Sequence, residues 1–356
     1  MDSEKAILVG VELQNSNNSF PSSMEELSLL AKTAGAAIAG IVTQKRPKPD
    51  LKYYIGEGKL EELDALVKQS GADLVIFDND LHASQERNLE EKLGLKVINR
   101  TELILDIFAQ HAASHEGRLQ VELAQNQFML TRLSGKGVLL SRLGGGIGTR
   151  GPGETKLEQD KRKIRYRISL LKKEIDNIRK ARITRRAARL SSGIKNISII
   201  GYTNAGKSTL LNSLTKSSVL AQNKLFATLD TTTRKLYISD NKSVLLSDTV
   251  GFIQNLPHQL IDAFKATLEE VNDSDLLLHV VDSSSPDMEK QIDSVYTVLE
   301  EIGAISKPII TVFNKSDLLK TALDKTLEER YKPCVAVSAY KKTGLEDLKK
   351  VILTFL

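Results

Sequence analysis

Apolar and polar residues alternate with two different periods along the N-terminal part of the chain. Four short apolar runs have the length and composition of β-strands: residues 5–13, 39–42, 74–77 and 96–98. Amphipathic stretches with a helical period lie between and after them: residues 23–36, 59–68, 85–93 and 101–112. Strands that alternate with helices of this length predict a small α/β domain with a parallel sheet over residues 1–112.

A helical hairpin is predicted over residues 113–192. Residues 116–133 favour a helix, and a second helix is expected to begin near residue 154. This second helix carries apolar residues at spacings of seven, four, three, four and three: Leu157, Ile164, Ile168, Leu171, Ile175 and Ile178. An apolar seam of this length needs a partner, and residues 116–133 would supply it as an antiparallel neighbour.

A glycine-rich segment, residues 144–153, lies between these two helices. Six of its ten residues are glycine. Because glycine loses so much backbone entropy when it is ordered, a regular element is not expected here. The segment is either a mobile linker or a loop that becomes ordered against RNA phosphate or against the domain that follows, residues 193–356.

The third predicted domain, residues 193–356, opens with a phosphate-binding signature. After the apolar run 197–200 come nine residues: Gly201, Tyr202, Thr203, Asn204, Ala205, Gly206, Lys207, Ser208 and Thr209. A helical pattern follows, so strand, glycine-bearing turn and helix succeed one another as a phosphate-binding loop requires. Backbone N–H groups would surround the phosphates, Lys207 would supply a positive charge, and Ser208 would ligate Mg²⁺.

A second motif, Asp248-Thr249-Val250-Gly251, follows the apolar run 244–246. Its aspartate would hold the Mg²⁺ shell, and the N–H of its glycine would meet the γ-phosphate. The switch that senses this phosphate should lie earlier, in the hydroxyl-rich segment 226–234, which begins with Phe226-Ala227-Thr228-Leu229-Asp230. Thr228 is our choice for the switch ligand of Mg²⁺ and Thr232 is the alternative, since spacing alone does not separate them.

Two further motifs point to guanine. In Asn314-Lys315-Ser316-Asp317, the Asp317 carboxylate would accept two hydrogens from the guanine edge that adenine cannot offer. In Ser338-Ala339-Tyr340, a backbone N–H would lie near the guanine carbonyl oxygen. Four motifs in this order predict a P-loop GTPase domain with a mostly parallel sheet that binds GTP and GDP.

Two positions bear on the rate of hydrolysis. Ras-type GTPases orient the attacking water with a glutamine shortly after the glycine that corresponds to Gly251, but Phe252 stands here and cannot polarise water. We therefore predict slow intrinsic GTP hydrolysis, with Lys207, Thr228, Gly251 and Asn204 as the catalytic candidates. In potassium-dependent GTPases an asparagine at the place of Asn204 helps to hold a monovalent cation, so K⁺ is a second candidate cofactor. The alternative is that Asn204 only caps the turn.

Composition limits the class of protein. With 41% hydrophobic and 27% charged residues, the 356-residue chain is typical of a globular protein with two or three domains. No apolar run approaches the length of a membrane span, and the N-terminus lacks the pattern of a signal peptide. Cys334 is the only cysteine, so no intrachain disulfide is possible. We expect a small buried hydrophobe at this position and a cytoplasmic monomer without a membrane partner.

The net charge of +5 is unevenly distributed. Residues 156–190 contain fourteen Lys and Arg against four Asp and Glu, and such a basic stripe is typical of a nucleic-acid-binding surface. The candidate RNA-binding residues are Lys172, Lys173, Arg179, Arg182, Arg185, Arg186 and Arg189. The alternative is a merely solvated helix, but such a helix would normally balance its charges.

Two weaker patterns near the N-terminus favour structural roles. Gly56, Gly58 and Lys59 lack both the spacing of a dinucleotide loop and a preceding strand, so a turn and a helix start are favoured over a phosphate site in an ATP-using domain. His111 and His115 are four residues apart and could share a helix face as metal ligands. Because no carboxylate or cysteine constellation accompanies them, surface or capping roles are favoured.

The chain as a whole resembles the HflX family of translation-associated GTPases. The matching stretches of the nucleotide domain are residues 201–208, 225–230, 248–252 and 314–317. More diagnostic stretches lie outside it, at residues 100–108, 116–123 and 151–155. Two features depart from the family pattern: Thr231 stands where many members have proline, which would alter the rigidity of the switch, and the chain ends soon after the guanine-binding domain.

The resemblance implies an N-terminal HflX domain, a helical hairpin and a TRAFAC-class G domain. It also implies the large ribosomal subunit and its rRNA as a partner, with a role in ribosome dissociation, recycling or rescue. GTP would then select a docking-competent arrangement, which hydrolysis would release. The alternative is a nucleotide-switched regulatory protein whose hairpin recruits a protein partner.

Overall fold

The computed structural model describes residues 3–14, 19–143, 152–190, 194–215, 226, 232–239, 242–249, 251–253, 271–319, 321 and 323–356; of residues 134–143, 152–155, 182–190 and 239 it describes the backbone alone. The chain divides into two compact units, Met1–Gln110 with Leu119–Glu174, and His111–Arg118 with Ile175–Leu356. Within the described residues, no helix combines the length and the apolar composition that a membrane span requires.

A four-stranded parallel sheet forms the centre of the first unit. Its strands are β1 (Lys5–Leu13), β2 (Ala37–Arg46), β3 (Leu74–Phe77) and β4 (Lys96–Asn99). They lie in the order β2-β1-β3-β4, and each neighbouring pair is parallel. The helices that connect and follow them are α1 (Phe20–Thr33), α2 (Glu57–Ser70), α3 (Ala83–Leu93) and α4 (Arg100–His111). The predicted alternation of strands and helices is confirmed.

Two elements of this unit differ in length or position from the sequence prediction. Helix α1 begins three residues earlier than predicted, because Pro21 is well tolerated in a first helical turn. It ends before Gly35, whose φ of 93° is left-handed. Strand β2 extends well beyond residues 39–42, since its polar second half continues to pair with β1 as far as Leu13. An edge strand is partly exposed and can contain polar residues, so the apolar run 39–42 marks only part of β2.

A buried arginine connects several elements of the first unit. Arg100 is 3% exposed, and its guanidinium lies 2.7 Å from Glu26 Oε1 and 2.7 Å from Asp78 Oδ1. It also donates to the carbonyl and hydroxyl oxygens of Ser23 at 2.8 and 3.0 Å. Burial opposes the charge, but Asp78 and Glu26 outweigh it and raise the pKa of Arg100. The network therefore keeps an ionised guanidinium inside the domain.

Two long helices follow, α5 (His115–Leu143) and α6 (Pro152–Leu190). Glu122 on α5 and Arg167 on α6 form a two-pronged ion pair of 2.6 and 2.7 Å, so the two predicted helices contact each other. On the predicted seam Leu171 is fully buried, and Leu157, Ile164 and Ile168 are half-buried.

The glycine-rich segment ends earlier than predicted. Pro152 and Gly153 belong to the first turn of α6, because proline's fixed φ suits the first helical position. Residues 144–151 lie outside the described residues, so the choice between a linker and an ordered loop stays a prediction.

Helix α5 also contacts the α/β part of the first unit through one side chain. Arg132 Nη1 forms ion pairs with Glu86 on α3 and with Glu102 on α4, the latter at 3.0 Å. Its guanidinium carbon lies 4.6 Å from the centre of the Phe128 ring. One cation therefore faces two carboxylates at this contact.

A six-stranded sheet forms the centre of the second unit. Its strands are β5 (Asn196–Gly201), β6 (Thr232–Ser239), β7 (Lys242–Asp248), β8 (Leu276–Asp282), β9 (Ile309–Asn314) and β10 (Cys334–Ala336). They lie in the order β10-β9-β8-β5-β7-β6, and β6 is antiparallel to β7 while the other pairs are parallel. Helices within its described residues include α7 (Lys207–Thr215), α8 (Met288–Glu301), α9 (Lys325–Arg330) and α10 (Leu345–Leu353), with a 3₁₀ turn at Ser316–Leu318. The predicted α/β class with a mostly parallel sheet is confirmed.

The structure places Gly56, the two histidines His111 and His115, and Cys334. Gly56 is the N-cap of α2, so the predicted turn and helix start are confirmed. His111 ends α4 and His115 begins α5, so the two histidines do not share a helix as considered above. Cys334 is half-buried rather than buried, because β10 is an edge strand of its sheet.

Candidate nucleotide-binding site

The predicted phosphate-binding loop connects the end of β5 with the start of α7. Gly201 has a φ of 148°, and a Cβ there would lie 2.2 Å from the carbonyl oxygen of Val280. Gly206 has a φ of 92°, and a Cβ there would lie 2.3 Å from Asn314 Nδ2. Only glycine fits both the backbone conformation and the space at these two positions.

Lys207 is buried at the start of α7. Its Nζ donates to the carbonyl oxygens of Gly201 at 3.0 Å and Tyr202 at 2.8 Å, within its own loop. Burial lowers the pKa of Lys207 to about 8, against the opposing effect of Asp248. A cation held in so little water interacts strongly with any anion that enters the loop.

Ser208 and Asp248 are brought together from α7 and the end of β7. The Ser208 hydroxyl donates to Asp248 Oδ2 at 2.7 Å, and Asp248 is fully buried. A hydroxyl and a carboxylate at the N-terminus of a helix are hard oxygen ligands of the kind that Mg²⁺ prefers. The residues present therefore fit the predicted metal.

The segment after Asp248 is fastened to the phosphate-binding loop. Thr249 Oγ1 donates to the carbonyl oxygen of Ile199 at 2.7 Å. A Cβ on Gly251 would lie 2.9 Å from Lys207 Nζ, so the glycine backbone lies directly against the lysine. The Gly251 N–H and the Lys207 ammonium group could therefore both bind the same phosphate.

The motif predicted to bind guanine is held at several points. Asn314 Nδ2 donates to the carbonyl oxygen of Ala205 at 2.8 Å, and its Oδ1 accepts from the N–H of Ala339 at 3.0 Å. The side chain of Asn314 therefore joins two loops. Asp317 Oδ1 accepts from Ser338 Oγ at 2.6 Å, and this hydrogen bond lowers the pKa of Asp317, which keeps its carboxylate ionised.

Two apolar side chains lie beside this motif in sequence and are exposed. Tyr340, which follows Ala339, is 84% exposed, and Leu318, which follows Asp317, is 61% exposed.

Asp282 was not predicted as a site residue, but it contacts one that was, Lys315. Its Oδ2 lies 2.6 Å from Lys315 Nζ. It ends β8, and its register partner on β9 is Asn314. An acidic residue directly after an apolar run, at the carboxyl end of a parallel strand, is the signal that would have pointed to it.

Several predicted site residues fall outside the described residues: Ala227, Thr228, Leu229, Asp230 and Val250. Phe226, the first residue of the predicted switch segment, is buried with a φ of 55°. Thr232, the alternative switch ligand, lies on β6 opposite Asp248. The choice between Thr228 and Thr232 stays a prediction.

The predicted RNA-binding side chains lie along α6. Lys172, Lys173 and Arg179 are exposed. The side chains of Arg182, Arg185, Arg186 and Arg189 lie outside the described residues, although their backbone is helical.

Three family models match successive parts of the chain. They are the GTP-binding GTPase N-terminal model over residues 21–109, the GTP-binding GTPase middle-region model over residues 111–189 and the 50S ribosome-binding GTPase model over residues 196–315. Their ranges cover most of the chain.

Relatives are similar over nearly the full length of this chain. GTPase HflX of Caldanaerobacter subterraneus is 51% identical over 351 residues, which are 99% of this chain and 80% of the relative. GTPase HflX of Escherichia coli is 45% identical over 349 residues, which are 97% of this chain and 81% of the relative. Identity at this level across nearly the whole chain extends well beyond the shared nucleotide motifs.

Two solved structures of GDP complexes also resemble this chain over nearly its full length. A GTP-binding protein from Sulfolobus solfataricus in complex with GDP is 28% identical with a TM-score of 0.53, and it covers 99% of this chain and 98% of its own. A complex of SsGBP and GDP has a TM-score of 0.55 at 28% identity and covers 98% of both chains. The chain is therefore a GTP-binding and GTP-hydrolysing protein, and it belongs to the HflX family of GTPases.

Proposed function

We propose that this GTPase docks on RNA of the large ribosomal subunit in the cytoplasm and acts in ribosome dissociation, recycling or rescue. GTP selects the docking-competent state, and hydrolysis releases the protein. The observation that carries the proposal is the surplus of exposed cations on α6, among them Lys172, Lys173 and Arg179. The description of the matching family model, a 50S ribosome-binding GTPase, agrees with it.

The charge of α6 favours nucleic acid over a neutral partner. Among the described side chains of this helix, Lys180 pairs with Asp176 at 2.7 Å and Arg165 with Glu158 at 3.4 Å, yet the helix keeps a large positive excess. Phosphate contacts made by such residues release counterions, so docking should weaken steeply as salt rises.

Cosedimentation with purified ribosomal subunits tests this proposal. The full chain is compared with GDP and with a non-hydrolysable GTP analogue, at two salt concentrations. We expect the triple variant K172E/K173E/R179E to lose binding to the large subunit. K350E, the same change on α10, is the control and should bind like the wild type. Binding to the large subunit that changes neither with the salt concentration nor with the bound nucleotide would contradict the proposal.

A protein partner is the second candidate. Two large apolar side chains of the long helices are exposed, Met129 on α5 at 53% and Tyr166 on α6 at 67%. If these residues recruit a protein, the charge-reversed triple variant retains its partner, whereas M129S/Y166S loses it. The opposite pattern supports RNA docking.

We propose that Ser208 and Asp248, with Thr228 as the switch ligand, hold Mg²⁺ in the nucleotide complex. The metal supplies charge that neutralises the phosphate oxygens. Binding of a fluorescent GTP analogue, with and without Mg²⁺, tests the assignment without any turnover. S208A and D248N should lose most of the Mg²⁺-dependent gain in affinity. S294A, at a half-buried serine on α8 away from the predicted site, should keep it.

We also propose K⁺ as a second cofactor, bound with help from Asn204. This residue is exposed and has a φ of 61°, so its side chain is accessible to an ion at the phosphate-binding loop. Hydrolysis should be faster in KCl than in NaCl of equal ionic strength, and N204A should remove the difference. Equal wild-type rates in both salts would leave Asn204 with a capping role only.

A further inference from the structure

The carboxylate of Asp282 is fixed on both of its oxygens. Oδ2 lies 2.6 Å from Lys315 Nζ, and the two side chains keep only 18% and 26% of their exposure. Oδ1 accepts from the N–H of Ser284 at 3.0 Å and from its hydroxyl at 2.6 Å. The Ser284 bonds set the rotation of the carboxylate, so Oδ2 is presented to the lysine in a defined direction.

The residue directly after β8 fixes the backbone of the same turn. Ser283 donates from its N–H and its hydroxyl to the carbonyl oxygen of Asn314, at 3.0 and 2.6 Å. Consecutive residues at the end of β8 therefore hold consecutive residues at the end of β9, one through the main chain and one through a side chain.

Lys315 needs this support for two reasons. Its φ of 60° and ψ of 30° lie in the left-handed region, which costs energy for any residue with a Cβ. Its four-carbon side chain has many rotamers, and ordering it loses conformational entropy. The ion pair with Asp282 selects one direction for this side chain before a ligand arrives.

We propose that Asp282 is a positioning residue for guanine-nucleotide binding, which it promotes by orienting Lys315; this inference rests on the proposed assignment of Asn314–Asp317 as the guanine-binding motif. Without the Asp282 charge, the nucleotide must itself immobilise the lysine. Immobilising one long side chain corresponds to a loss of about three- to tenfold in affinity. Base selectivity is unaffected, because Asp317 is held separately by Ser338.

The experiment is a double-mutant cycle on the full chain. Affinity and dissociation rate of fluorescent GDP are measured for the wild type, D282N, K315M and D282N/K315M. We expect D282N to raise Kd three- to tenfold, mainly through faster dissociation. In the K315M background the same change should have no further effect, because its target is gone. The ratio of GDP to IDP affinity should stay at the wild-type value in D282N.

The chain offers a matched control. Asp347 pairs with Lys350 at 2.8 Å on α10, so D347N is the same chemical change at another lysine–aspartate pair of this unit. It should leave the GDP affinity unchanged. Thermal unfolding of the nucleotide-free variants checks that D282N folds like the wild type.

Three outcomes separate the possible errors. Wild-type GDP binding by D282N overturns the inference. An equal loss from D282N with and without K315M also overturns it, because Asp282 would then act through the fold and not through Lys315. If D317A and K315M bind GDP and IDP like the wild type, the proposed guanine motif itself is wrong, and the inference falls with it.

Discussion

The main-chain N–H of Thr203 donates to the carbonyl oxygen of Phe252 over 2.6 Å. The N–H of Phe252 returns a hydrogen bond of 3.1 Å to the carbonyl oxygen of Gly201. These two bonds fix the segment after Gly251 against the phosphate-binding loop. They also direct the Phe252 ring into a buried apolar cluster with Ile200.

This arrangement predicts that a glutamine at position 252 will not restore a water-orienting group. In F252Q the amide would lie in the buried cluster, so single-turnover GTP hydrolysis should not accelerate. The buried amide and the lost ring should cost about 3 kcal/mol or more of unfolding free energy in urea titrations. F355Q, at a phenylalanine that is 41% exposed, should cost far less. A faster F252Q enzyme would show that the side chain reaches the nucleotide.

The slow intrinsic rate of GTP hydrolysis, expected from Phe252, also stays a prediction. The buried Phe252 ring has no polar atom that could accept a proton from the attacking water or orient it. We expect single-turnover hydrolysis by the purified protein to be far slower than that of a GTPase stimulated by its activating protein. Rates in that stimulated range without any partner would contradict this expectation.

Nucleotide affinity should depend on pH through Lys207. Burial lowers the pKa of this lysine to about 8 in the nucleotide-free protein, whereas phosphate favours the charged form. Binding therefore takes up a proton above pH 8, and GDP affinity should fall as pH rises, by at most about tenfold per pH unit. The titration should be kept below the pH at which guanine itself ionises. K207M should bind weakly and without this slope, and a flat wild-type profile would show that Lys207 stays charged.

The stability of the α/β part of the first unit should fall as pH rises, because Glu102 is partly buried. Burial, with a contribution from nearby Glu86, raises the pKa of Glu102 to about 7, although Arg132 and Lys96 oppose the shift. The folded pKa lies above the unfolded value of 4.5, so the fold favours the protonated form, and stability is lost as pH rises from about 5 to 7. Hydrogen exchange over residues 83–111 should accelerate across this range.

Two variants check the origin of that pH dependence. E102Q should flatten it, because glutamine does not titrate. E61Q, at an exposed residue of α2, should leave it unchanged. A pH profile of E102Q identical to the wild type would assign the titration to another group.

Arg100 should be among the most sensitive positions for stability. R100M removes the cation from Glu26 and Asp78 while keeping much of the side-chain volume, and breaking a buried ion network in this way costs about 3–5 kcal/mol. R330M breaks an exposed pair with Glu289 and should cost about 1 kcal/mol or less. Urea unfolding of both variants measures the difference, and equal costs would mean that the Arg100 network contributes little.

Local sequence pattern determined much of the architecture. Strand and helix periods predicted the α/β alternation of the first unit, and the spacing of Leu157 to Leu171 predicted the seam of α6. The glycines and the lysine of residues 201–207 identified the phosphate-binding loop, because that loop is built from consecutive residues. Edge strand β2 was shortened in the prediction, since an exposed strand does not need an apolar sequence.

Only the tertiary structure decided which residues that are distant in sequence contact one another at the site. Asn314, predicted as a nucleotide ligand, joins the loops of Ala205 and Ala339 through its side chain. Asp282, thirty-three positions before Lys315, became visible as its partner because β8 and β9 are neighbours in the sheet. Sequence spacing reports contacts made within a strand, a turn or a helix. Contacts between the carboxyl ends of separate strands depend on strand order, which the periodicity of hydrophobic residues does not encode.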